Sequence, residues 1–221
     1  MILSLNEIES MGWKAARGAG LAWGLAEEMA QAARWLADHG FDWAEPLVAA
    51  LADAEQREGR LPPPFLSDDG AWDAALGEAE VSPILCGPLM TDIASDLGSS
   101  RPLVFRSVAY PVLMLPFAAG AAAAFGFGLA LKIDQEDFWF DGAGAAGTSR
   151  LAGVLRAGKI VLSMPDQPAA REMPTFAAGA PRRAIAPDLL ARLEAWVHRT
   201  YVPASAQSRL AGAGAGLTDN D

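Results

Sequence analysis

The residues best suited to chemistry fall in two clusters, one near each end of the chain. Residues 17–28 read Arg17-Gly18-Ala19-Gly20-Leu21-Ala22-Trp23-Gly24-Leu25-Ala26-Glu27-Glu28. The glycines bracket a helix start, where unpaired backbone N–H groups attract an anion, and Arg17 adds a full positive charge beside them. Glu27 and Glu28 follow as paired carboxylates; solvated, they would simply favour the positive end of the helix dipole. The second cluster runs from Thr200 and Tyr201 through Ser205 and Ser208 to Arg209. Hydroxyls with one arginine suit a carboxylate ligand. The expectation is a small anionic metabolite held by Arg17, Trp23, Ser205, Ser208 and Arg209. If the protein is an enzyme, Glu27 or Glu28 with Tyr201 would do acid–base work, because no nucleophile–base pair is evident.

A third pattern is Gly142-Ala143-Gly144-Ala145-Ala146-Gly147, a literal G-x-G-x-x-G between an expected strand at 138–141 and an expected helix at 148–157. Asp166 lies 19 residues after the last glycine. That spacing resembles the dinucleotide fingerprint, in which glycines admit the pyrophosphate and a later acid bonds the ribose. Against it, GAGAG recurs at 212–216 by composition alone, and Trp139 and Asp141 interrupt the strand that should be smooth and apolar. Dinucleotide binding is therefore the third reading and the cofactor stays unassigned. His39 and His198 have no second ligand at metal spacing, and Cys86 reads as a small buried residue, so no metal is assigned.

Composition narrows the classes. With 52% hydrophobic and 20% charged residues among 221, the chain is not mainly disordered. Seventeen basic residues against 27 acidic ones, a net charge of −10, argue against nucleic acid and against an anionic membrane surface. One cysteine excludes an internal disulfide, and the first residues carry no secretory pattern, so the cytoplasm is the expected compartment. Residues 107–131 hold no charge and are long enough to span a bilayer, but Pro111, Pro116 and the glycines favour a strand at 103–109 and a buried helix at 111–125.

The elements that must position these residues read as α+β. Ser4 and Glu7 form a capping box for a first helix that stops at Gly18 and Gly20. A second helix is expected over 21–39 with Gly40 as its left-handed cap, and a third from Trp43 to Gly59 with Pro46 in its first turn. From 59 to 88 the pattern weakens, with loop chemistry at Pro62-Pro63-Pro64 and Ser67-Asp68-Asp69-Gly70, and this stretch is the candidate boundary between the helical part and the rest. A hairpin at 128–141, a strand at 159–164 and a last helix at 188–200 follow. This makes one compact unit over 1–202, helical over 1–60 and mixed over 80–202, with a Gly/Ala-rich tail at 203–221. The helical cluster packs on a small mixed or antiparallel sheet with a buried central helix.

Residues 17–28 and 200–221 resemble the ends of a bacterial family known only as a domain of unknown function, a likeness that would cover nearly the whole chain and implies no reaction. The first two helices are similar to those of malate/lactate-type dehydrogenases that lack a Rossmann fold. Those enzymes use Ser-His-Gly where this chain has Asp38-His39-Gly40, so their activity is not carried over. The runner-up reading is a non-catalytic accessory subunit: seven tryptophans and long Ala/Gly-rich runs leave surface for a homo-oligomer or hetero-complex.

Overall fold

A computed structural model describes residues 1–99, 101–141, 144–148, 151–164, 176 and 182–201. Helix α1, Leu5–Gly18, starts on the expected box: Ser4 Oγ accepts from Glu7 N–H at 3.2 Å and Glu7 Oε2 accepts from Ser4 N–H at 2.7 Å. Its buried face is Ile8, Gly12, Ala15 and Ala16. Small residues let backbones approach, and a Cβ on Gly12 would stand 3.4 Å from the Cα of Ala30 on the next helix. That helix, α2, spans Trp23–Asp38. Gly40, at φ +75°, ends it: Gly40 N–H bonds Ala37 O and Phe41 N–H bonds Leu36 O, satisfying two terminal carbonyls. Helix α3, Ala44–Gln56, keeps Pro46 in its first turn, where the missing N–H costs nothing.

The sheet contains seven strands among the described residues, in the order β1-β2-β3-β7-β4-β5-β6. They are β1 Phe65–Leu66, β2 Ala71–Asp73, β3 Leu103–Ala109, β4 Leu129–Ile133, β5 Glu136–Asp141, β6 Gly144–Gly147 and β7 Arg156–Ser163. Every pair is antiparallel except β2–β3. The β4–β5 turn places Asp134 at φ +51°, and its carboxylate accepts the N–H groups of Gly158 and Lys159 at 3.1 and 2.8 Å. That bond ties the hairpin to β7, its neighbour in the sheet.

Two helices connect the halves. Helix α4, Pro83–Ile93, carries Pro88 inside it, and α5, Leu115–Phe125, follows a 3₁₀ turn at Pro111–Met114. Helix α5 packs on β4 and β5 and against α2 and α4. The two helices meet where Gly87 has no side chain; a Cβ there would lie 2.3 Å from the Phe117 ring. Helix α6, Pro187–His198, closes the helical side against α1 and α3. Gly18 permits that contact, since a Cβ would fall 2.0 Å from Trp196 O. The chain ends of this body also meet, with Leu3 N–H on Arg183 O at 3.0 Å. One continuous cluster of buried side chains runs from Ile8 and Leu36 through Phe117 to Phe138 and Ile160.

The α+β class, the three N-terminal helices, the buried central helix, the 128–141 hairpin and the last helix stand as the sequence predicts. No helix among the described residues is long and apolar enough to cross a membrane; the charge-free stretch is divided between β3, the 3₁₀ turn, α5 and β4. The weakly patterned stretch at 59–88 contains β1, β2 and the start of α4. One expectation fails. The glycine run does not form a phosphate loop: Gly144–Gly147 is strand β6, paired antiparallel with β5, and after it the described residues form a turn at 151–153 and then β7, not a helix. The glycine serves packing. A Cβ on Gly147 would meet the rings of Phe176 and Phe138 at 2.5 and 2.6 Å. Gly142, Ala143 and Asp166 lie outside the described residues.

Candidate functional site

The first sequence cluster divides between two surfaces. On one, the Arg17 guanidinium stands 4.9 Å over the Trp23 ring and donates to Leu21 O, so it holds the α1–α2 connection as well as facing solvent. Trp13 tilts against Trp23 at 5.1 Å. Ala22, the cap of α2, offers no side-chain acceptor, and a Cβ on Gly24 would meet nothing within 4 Å. Helix geometry leaves the N–H groups of Trp23, Gly24 and Leu25 pointing out of this open end. Glu27 is exposed and lies along a shallow groove with Asn6, Glu9 and Trp13. Tyr201 rests on the same helix α1, edge-on to His198 at 5.7 Å and 5.9 Å from Lys14 Nζ. Ser205, Ser208 and Arg209 lie outside the described residues.

Glu28 faces elsewhere. It is half-buried in a groove of about 460 Å³ between α2 and α5. From α2 come Glu28, Gln31, Ala32 and Trp35, and from α5 come Pro116, Ala119, Gly120 and Ala123. Each set is spaced i, i+3, i+4, i+7, one face of a helix. Phe117 and Thr91 complete the lining, and Thr91 Oγ1 donates to Phe117 O at 3.3 Å. Trp35 is held firmly: the His39 ring stacks on it at 3.9 Å, and Phe41 and Phe140 lie at 5.9 and 6.2 Å. His39 Nδ1 is 2.9 Å from Trp35 O at the helix end. The opposite wall is flat and open, since a Cβ on Gly120 would meet no atom within 4 Å.

The electrostatics of Glu28 set it apart. Burial raises its carboxyl above the ordinary range, and the negative charges of Asp92 and Glu27 push it the same way. Elsewhere the carboxylates with clear shifts are held down by partners. Arg106 and Ser67 bring Asp69 to about 2, Arg199 lowers Glu55, and Arg57 lowers Glu78. Burial also pushes the Cys86 thiol up, which removes it as a nucleophile. No group of three His, Cys, Asp or Glu among the described residues is arranged to hold a metal ion.

Sequence reasoning singled out Glu28 but not Gln31, Trp35 or the α5 face that line the groove with it. The signal was available in the spacing of Glu28 and Trp35, two helical turns apart on an otherwise Ala-rich helix. The α5 wall carried no signal, because alanine and glycine line a groove and fill a core with equal ease.

Residues 3–72 match a family model described as Protein of unknown function (DUF3726). The DUF3726 match takes in α1, α2 and α3 and reaches β2, so it contains residues 17–28 and the Glu28 side of the groove. The resemblance seen in the N-terminal cluster is thus borne out over that span, while residues 200–221 and the α5 wall fall outside it. No curated protein and no solved structure matches the chain.

Proposed function

We propose that this protein binds a small metabolite in the groove between α2 and α5, with Glu28 as its proton-handling group. The observation that carries the reading is a half-buried carboxyl, raised by its surroundings, in an aromatic-walled groove of about 460 Å³. Ligand sites are concave, mostly apolar and roughly 300–1,000 Å³ in volume, with few polar groups to fix orientation. A carboxyl raised above its ordinary range by burial suits general acid–base work, as expected from sequence for Glu27 or Glu28. Of the two, Glu28 has the enclosed position; Glu27 and Tyr201 belong to the outer surface along α1.

The experiment is a thermal-shift panel of small amines, alcohols and carboxylates on the full chain and on Gly120→Leu, whose side chain would enter the open groove. A ligand at 100 times its dissociation constant adds about 2.7 kcal/mol of stability. Stabilisation of the parent that disappears in Gly120→Leu is the expected result. Stabilisation that persists in the variant moves the site elsewhere.

A second reading keeps the carboxylate ligand expected from sequence and seats it at the uncapped start of α2 beside Arg17. Helix N-termini favour anions. In that case stabilisation by a carboxylate survives Gly120→Leu and is lost in Arg17→Ala. The accessory-subunit reading draws on the same surface, where Trp23 remains 61% exposed. Its test is sedimentation of the parent chain against Trp23→Ala, and a monomer in both counts against it.

A further inference from the structure

Resting on the reading of the α2/α5 groove as the ligand site, we propose that its ligand is an organic cation: an ammonium group on a small apolar or aromatic body. Charge carries the argument first. Glu28 enters the groove from α2, Asp92 stands near it on α4, and Glu27 is its neighbour in sequence. No lysine, arginine or histidine lines the groove, and α5 has no ionisable residue at all. Among the described residues Glu28 makes no ion pair, whereas Glu9, Glu55 and Glu78 each have an arginine. A half-buried carboxylate among like charges is short of counter-charge. A ligand ammonium supplies it, and a ligand carboxylate would meet repulsion.

The walls point the same way. Trp35 lines the same groove two turns along α2, roughly 10 Å from Glu28 at about 1.5 Å rise per residue, and its ring is fixed by the stack on His39. At that distance from the carboxylate the indole suits the apolar or aromatic body of the ligand, not its charged end. Gln31, on the same helix face, adds an amide acceptor for a second ammonium hydrogen. Ala119, Gly120 and Ala123 leave room opposite without competing for the charge. An acidic end, an aromatic side and a smooth apolar floor form a complement to an arylalkyl or alkyl amine.

Three probes of one shape test this: 2-phenylethylammonium, 2-phenylethanol and phenylacetate. Each is titrated by NMR into the full chain, Glu28→Gln, Gly120→Leu and Ala123→Leu. The last blocks the groove from one turn further along, so the test stands if Gly120→Leu fails to fold. The ammonium should bind the parent about tenfold more tightly than the alcohol, and phenylacetate more weakly still. Glu28→Gln should bring the ammonium to the affinity of the alcohol, and the blocked groove should bind none of the probes. Phenylacetate binding as tightly as the ammonium, or ammonium affinity unchanged in Glu28→Gln, overturns the cation assignment and leaves the groove as a ligand site. Failure of all three probes to bind the parent, or undiminished binding to the blocked variants, overturns the groove reading with it.

Discussion

Glu28 and Asp69 are opposite cases of how an environment sets a carboxyl. Glu28 is pushed up by burial, Asp92 and Glu27, so the folded protein holds its proton more tightly than the unfolded chain does. Its contribution is therefore favourable below the ordinary carboxyl value of 4.5 and declines as pH rises through the raised folded value. Glu28→Gln, which cannot ionise, should gain on the parent between pH 4 and pH 7 by a few tenths of a kcal/mol, read from urea unfolding at the two pH values. A gap that narrows as pH rises would contradict the burial of Glu28. Asp69 runs the other way. Arg106 and Ser67 hold it at about 2 against an ordinary 3.8, so the pair's contribution is complete above 3.8 and lost as pH falls toward 2. In Arg106→Met the Asp69 midpoint, followed by NMR, should climb back toward 3.8. Arg106 also donates to Asp73 at 3.0 Å, so the same substitution removes a second ion pair at β2.

At the scale of elements, close approaches decide more than propensities. Gly87 lets α4 lie on Phe117 of α5, and Pro88 beside it removes one helix N–H. Gly87→Ala forces a Cβ into the ring at 2.3 Å and should cost about 1–3 kcal/mol in thermal or urea unfolding, the range for overpacked cores. Because Phe117 also lines the Glu28 groove, the same variant should weaken any ligand bound there. The start of α1 is a milder case. Ser4→Ala breaks one half of a reciprocal cap and should cost about 1 kcal/mol with no effect on the groove. These contacts were legible to different degrees. The capping box and the Gly40 terminus are local chemistry and read directly from Ser4, Glu7 and Gly40. The roles of Gly18, Gly87 and Gly147 depend on Trp196, Phe117 and Phe176, residues 30 or so to 180 positions away, and nothing local distinguishes them from glycines in turns.

For the molecule as a whole, a core that runs unbroken from α1 through α5 to β7 predicts that helices and sheet unfold together. The helical circular-dichroism signal and the amide NMR signals of β4, β5 and β7 should have coincident thermal midpoints. Trp196→Ala, which removes a fully buried side chain of α6, should lower both midpoints together, at a cost of about 3–5 kcal/mol. An early loss of the helical signal alone would mean that α1, α2, α3 and α6 form a separable unit. What the sequence by itself determined is what repeats locally: helix periods, caps, the hairpin alternation about Asp134, the acid charge and the α+β class. Tertiary structure alone decided that the glycine run at 144–147 is an edge strand under Phe138 and Phe176, and that the sparse stretch at 59–88 gives up strands and a helix. It also decided that the neighbouring carboxylates Glu27 and Glu28 open onto different surfaces. Adjacent residues on a helix diverge by about 100°, so only the packing of α1 and α5 around α2 determines which of the two is enclosed.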